Sequence, residues 1–168
     1  MRTSWSRNPE AGALFPLRVL VFAALAPLQL RWRKLPDLPA WLEPRGPLPP
    51  PPSPEEVAAL VRRVDRLIAA GRPLVRSGCL TRGLTLYRFL RRAGADVSLR
   101  FGAGSMDGGF AAHCWVVYQG EPLMEKRDPR RDFVETWRIE PEPSPPSPLS
   151  RPLPPSLTGR GGKEASLS

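Results

Sequence analysis

Histidine occurs once in these 168 residues, at His113, and cysteine twice, at Cys79 and Cys114. With no CxxC pair and at most three soft ligands in the whole chain, neither a structural zinc nor a dithiol redox centre is expected. Two cysteines make no disulfide scaffold, and unpaired thiols fit a reduced, cytoplasmic compartment. There is no Walker loop, because GAGSMDGG at 102–109 lacks the lysine and the helix that should follow. There is also no serine elbow and no acidic pair at metal-ligand spacing. No cofactor or metal is expected.

Lysine is nearly missing too. Of 25 basic residues, 22 are arginine and three lysine, against 16 acids, for a net charge of +9. Arginine, alanine, glycine and proline all have GC-rich codons, so part of this excess reflects coding. What remains favours an acidic partner over a basic one. Nucleic acid is not favoured, since exposed aromatics suited to base stacking are not evident.

Proline is almost absent from one stretch only. Of 23 prolines, nine fall in 36–54, eight in 141–155 and three (Pro73, Pro122, Pro129) in 55–140. The 86 residues of 55–140 are therefore the part that packs regularly. That length excludes a TIM barrel and a full dinucleotide-binding domain. Four segments are expected: an apolar accessory helix in 1–35, a Pro-rich linker at 36–54, the core at 55–140, and a disordered Pro/Ser-rich tail at 141–168. The run AGALFPLRVLVFAALAPLQL at 11–30 is interrupted by Arg18, leaving about 12 apolar residues before Arg31, where a span needs about 20. A helix covering the small core is the favoured reading. A signal segment or an interfacial membrane anchor is the alternative.

Ser53-Pro54-Glu55-Glu56 combines an N-cap, a proline at N1 and a capping-box glutamate. Val57, Leu60, Val61, Val64, Leu67 and Ile68 then form one apolar stripe, which predicts a helix over 54–70 with no chemistry on it. A second helix is predicted over 79–93, ending at Gly94. Mid-helix Gly83 costs about 1 kcal/mol against alanine, which implies that another backbone packs closely there. Val97, Leu99 and Phe101 alternate as a strand, and 102–109 reads as a flexible loop. Residues 111–119 read as a central strand, with a turn at Gln119–Glu121, a return strand from Pro122 and a further strand over 133–139. The order α-α-β-β-β predicts an α+β fold, with helices packed on a small, mainly antiparallel sheet.

Cys79 stands at the start of the second helix. Free N–H groups and the positive end of the helix dipole favour its thiolate there, and Arg76 and Arg82 push the same way. His113 lies on the central strand beside the glycine-rich stretch. Such a cysteine and a strand histidine are how a thiolate–imidazolium pair is commonly assembled. Glu125, twelve residues on, faces His113 if the hairpin turn centres on Gln119. A one-residue slip pairs it with Cys114 instead, pointing away. Asp128 and Asp107 are the other acids in reach. Cys114, on the opposite face from His113, reads as structural, and Trp115 shares the histidine's face.

The segments CLTRGLTLYRFLRRAGADVSLRFGAG and AHCWVVYQGEPLME resemble the transglutaminase-like cysteine-protease superfamily. Within it they are most similar to the C-terminal domain of lasso-peptide processing protein B, in its stand-alone form. The matching residues are Cys79, Leu80, Arg82, Leu84, Leu86, Gly94, Gly102, His113, Trp115, Val116 and Glu125. Three positions depart: Cys114 replaces the common alanine, Val117 stands where glutamate is frequent, and Glu125 stands where aspartate is usual. The resemblance implies a papain-like core and a thiol peptidase that removes the leader from a ribosomally made lasso-type precursor. Cys79 would attack, His113 would move the proton and Glu125 would hold the imidazole. The implied partners are the precursor's leader peptide, a small precursor-recognition protein and a lasso cyclase. Two other readings stand beside it. One is an amidase or transamidase of another pathway. The other is a non-catalytic basic module that binds an acidic peptide or nucleic acid.

Overall fold

The computed structural model describes residues 12–33, 37–76, 78–106 and 109–141. Four helices come first: α1 (Phe15–Trp32), α2 (Leu38–Leu42), α3 (Pro54–Ala70) and α4 (Cys79–Arg92). Four strands follow: β1 (Val97–Met106), β2 (Gly109–Tyr118), β3 (Glu121–Pro122) and β4 (Phe133–Ile139). They form one antiparallel sheet in the order β3-β2-β1-β4. The fold is α+β, as the order of periodicities predicts. Of the disordered tail expected at 141–168, residues 142–168 lie outside the described residues.

α3 begins where its capping signals place it. The Ser53 hydroxyl accepts from the Glu56 amide at 3.3 Å, and the Glu56 carboxylate accepts from the Ser53 amide at 2.9 Å. Its stripe of Val57, Leu60, Val61, Val64 and Ile68 is buried. α4 is buried almost all round and carries Leu84, Leu86, Tyr87 and Leu90 into the core. Each such side chain contributes roughly 1.5–3 kcal/mol through burial. Gly94 closes α4 with φ +84°, and the Ala95 amide donates back to the Leu90 carbonyl at 2.9 Å.

The Pro-rich segment does more than space the domains. Leu38 and Leu42 of α2 are core residues. Glu43 accepts from the Tyr87 hydroxyl and from Arg91 Nε, so it ties the segment to α4. A Cβ on Gly94 would overlap the Pro49 carbonyl oxygen, so the chain beyond α2 lies across the end of α4. Trp41 stacks on Phe22 of α1 with ring centroids 5.1 Å apart. Trp32, at the end of α1, is exposed.

α1 is long and apolar enough to cross a membrane by length and composition. Here its Phe15, Val19, Ala23 and Ala26 are buried in the core shared with α3 and α4. Phe15 meets Phe89 edge to face at 5.5 Å.

The glycine-rich stretch is not the expected loop. Residues 102–106 continue β1, and β2 starts at Gly109, giving a ten-rung hairpin from Val97↔Tyr118 to Met106↔Gly109. The glycines serve close packing. A Cβ on Gly104 would overlap the Asp132 carbonyl oxygen, and one on Gly102 would lie 2.9 Å from the Trp115 ring. At Gly83 the close neighbour is not a backbone, as expected, but the Cys114 thiol, which a Cβ would overlap.

Candidate active site

The first four N–H groups of a helix have no intrahelical partner. α3 satisfies part of this need with its capping box, whereas α4 starts on Gly78, which has no side chain to cap with. The first helical bond of α4 runs from the Arg82 amide to the Gly78 carbonyl at 3.0 Å. The amides of Cys79, Leu80 and Thr81 are left without a partner among the described residues. Cys79 is half-buried and unpaired at this uncapped end.

β2 runs past the same end. Cys114 Sγ lies 3.4 Å from the Cys79 carbonyl oxygen, so the strand touches the first residue of α4. His113 precedes it and points to the other face, as alternation predicts. Its ring stacks on Phe133 at 5.2 Å and 29°, and lies parallel to Trp115 at 6.0 Å. These rings leave the imidazole few orientations.

Glu125 reaches His113 by a route that the hairpin register alone does not give. Gln119 (φ +51°) and Gly120 (φ +85°) form a two-residue turn, so it centres between them and not on Gln119. Tyr118 then pairs with Glu121, and Val117 with Pro122. Continued regularly, this register would set Glu125 opposite Cys114, facing away from His113. β3 instead stops at Pro122, and Met124 takes a φ of +51°. The chain turns, and Glu125 Oε2 comes within 3.4 Å of His113 Nε2.

The other oxygen of Glu125 is also held. Arg82 Nη1 donates to Glu125 Oε1 at 2.8 Å, while Arg82 Nε and Nη2 donate to Asp65 at 2.8 and 3.2 Å. Arg82 follows Cys79 by one helical turn, so this guanidinium links the start of α4 to the His113–Glu125 pair. Burial draws the guanidinium's proton affinity down, but the two carboxylates outweigh it and hold the group firmly charged. This corrects one expectation: the charge of Arg82 is committed to Asp65 and Glu125 rather than to the thiol. α3, expected to carry no chemistry, contributes Asp65 to the ion pairs around Arg82. Asp65 is the single acid after Glu56 on that helix and borders its apolar stripe, a signal available in the sequence.

A cavity of about 390 Å³ opens beside His113. Met106, Met124, Pro129 and Phe133 form its apolar side, and Asp65, Arg82 and Glu125 its polar side. A second cavity of about 380 Å³ shares Asp65 and Arg82 and reaches Gly78. The Asp65–Arg82 pair thus stands between the start of α4 and the His113 cavity. No hydrogen bond joins the Cys79 thiol to His113 in this structure. The ring meets Glu125 through Nε2 at 3.4 Å, and its Nδ1 makes no hydrogen bond among the described residues. Catalytic hydrogen bonds are often long before substrate is bound.

The remaining candidates divide plainly. Asp128 caps the turn at Pro129–Arg131 and pairs with Arg130, which holds its carboxyl below the usual carboxylate range. Asp107 lies outside the described residues. The thiol of Cys114 is pushed strongly up, first by burial and then by Cys79 and Glu125 nearby. It is buried against α4. Among the described residues no group of three or more His, Cys, Asp or Glu could hold a metal.

Residues 17–138 match the family described as the Transglutaminase-like superfamily. The chain belongs to that superfamily. The match takes in α1 and α2 as well as α3, α4 and most of the sheet, so the matched region begins well before the core expected at 55–140. No curated protein and no solved structure matches the chain.

Proposed function

We propose that the chain is a cysteine peptidase that removes the leader from a ribosomally made lasso-type precursor peptide. The observation that carries the catalytic part is the His113–Glu125 pair, joined through Arg82 to the helix that Cys79 begins. Membership of a superfamily that includes cysteine hydrolases and acyltransferases supports thiol chemistry there. The narrower assignment to lasso-peptide leaders rests on the resemblance of the Cys79, His113 and Glu125 segments described above.

In the proposed reaction His113 Nδ1 takes the Cys79 proton, and the thiolate attacks the carbonyl of the scissile bond. The negative oxygen of the tetrahedral intermediate meets the unpaired amides at the start of α4. The imidazolium gives its proton to the leaving amine, and a thioester remains on Cys79. Water, deprotonated by His113, then releases the leader as a carboxylic acid and restores the thiol. Glu125, fixed through Oε1 by Arg82, holds the ring's Nε2–H throughout.

The test is to incubate the full chain with a precursor peptide and recognition protein encoded beside it, and to follow the masses. The expected result is a single cleavage, with the mass of one water added across the products and none formed by Cys79→Ala. Ammonia release or peptide cross-linking that depends on Cys79, without cleavage, would instead establish the amidase or transamidase reading.

A further inference from the structure

A groove of about 460 Å³ runs between α1 and the C-terminal half of α4, away from the residues of the candidate site. Phe22, Trp41 and Phe89 form its aromatic floor, with Val21 and Leu25 along the α1 wall. Arg18, Arg88 and Arg92 stand around it, and no acidic residue is among the described residues that line it. Arg88 is already set in place, donating to the Trp41 carbonyl oxygen at 2.6 Å with its guanidinium 5.1 Å from the Phe22 ring centroid. Apolar surface continues outward along α1, where Leu17 and Leu28 are more than half exposed.

We propose that this groove binds an acidic amphipathic segment of another protein. Its apolar side chains would seat on Phe22, Trp41 and Phe89, and its carboxylates would meet the arginines, whose planar donors suit carboxylates. The occupant follows from charge. The chain's own ends do not fit: 1–11 holds two arginines and one glutamate, and 142–168 holds three basic residues and two glutamates. A second copy, at net +9, brings the wrong sign. A flat lipid surface would meet Leu17 and Leu28 but would not fill a concave floor, whereas a side chain does. Arg88 and Arg92 lie about 14 and 20 Å along α4 from Cys79, at 1.5 Å per residue. The groove's chemistry does not depend on Cys79 being a nucleophile.

The experiment uses the full chain carrying Cys79→Ala and a fluorescein-labelled helical peptide of about 14 residues, with leucine at i, i+3, i+4 and i+7 and glutamate elsewhere. Binding is read by anisotropy. The same peptide with lysine for glutamate, and vesicles of phosphatidylcholine with phosphatidylglycerol, serve as comparisons. Expected is saturable, salt-sensitive binding of the glutamate peptide, weakened about tenfold or more by Arg18→Glu and by Leu25→Glu, each tested separately. Both positions are exposed on α1, and an unchanged circular dichroism melt shows that each variant folds. Equal binding of both peptides, binding indifferent to both variants, no binding of the glutamate peptide, or binding to vesicles alone would each overturn the proposal.

Discussion

At the residue scale, the guanidinium of Arg82 is the joint of the site. It is the donor fixing the Glu125 oxygen that does not face His113, and Asp65 fixes it in turn. Arg82→Met should therefore lower kcat by about 10²-fold with a smaller change in KM, since a misaimed catalytic group costs that much. Arg82→Lys should recover part of this loss only, because one ammonium cannot reproduce the fork that spans both carboxylates. Glu125→Gln keeps the shape but removes the charge that selects the ring tautomer, so kcat should fall about 10²–10⁴-fold. Steady-state kinetics on the cleaved precursor check all three. Cys79 and His113 stand out in the sequence because each residue type is scarce, and the structure places them as read, at the start of α4 and on β2. Glu125 is legible only by its distance from His113; its aim depends on the break at Met124, which no spacing shows. Asp65 is hidden because a lone acid on a helix is ordinarily solvated.

At the element scale, capping and glycine placement decide the packing. Ser53→Ala removes one half of a reciprocal cap and should cost about 1 kcal/mol, measured by urea unfolding. Gly83 and Cys114 form a coupled pair. Gly83→Ala alone should destabilise by about 1–3 kcal/mol through overlap with the thiol. With Cys114→Ala also present, the overlap goes, and the helix propensity of alanine should return up to about 1 kcal/mol. A double-mutant cycle reads this directly, and additive costs would contradict the packing described. α3 is visible from its capping box and apolar stripe, and α4 from its apolar run ending at Gly94. The hairpin is not: four glycines in 102–109 read as a loop. At least two of them mark instead where Trp115 and Asp132 press on β1.

At the scale of the whole molecule, two features set stability. The first is α1, whose Phe15, Val19, Ala23 and Ala26 complete the core. Removing residues 1–33 exposes the other side of that contact, so the shortened chain should lose cooperative unfolding and bind a hydrophobic dye. The second is pH. Burial raises the Cys114 thiol above its ordinary 9.0, so the folded chain keeps a proton that the unfolded chain gives up. Stability from this source is full below about pH 9 and falls as pH rises beyond it, by at most about 1.4 kcal/mol per pH unit. Tyr87, raised by burial and by Glu43, adds a like decline above its ordinary 10.0. Cys114→Ala should flatten the first decline and Tyr87→Phe the second, as read by thermal melts between pH 7 and 11.

The central claim is that Cys79 works as a nucleophile with His113, and alkylation tests it most directly. The full chain is treated with limiting iodoacetamide from about pH 5 to 9, and each cysteine is followed by mass spectrometry. The account predicts that Cys79 reacts at pH 6, that His113→Ala slows it, and that Cys114 stays unmodified until the protein unfolds. A Cys79 that stays inert until unfolding, or that reacts with no dependence on His113, would contradict it.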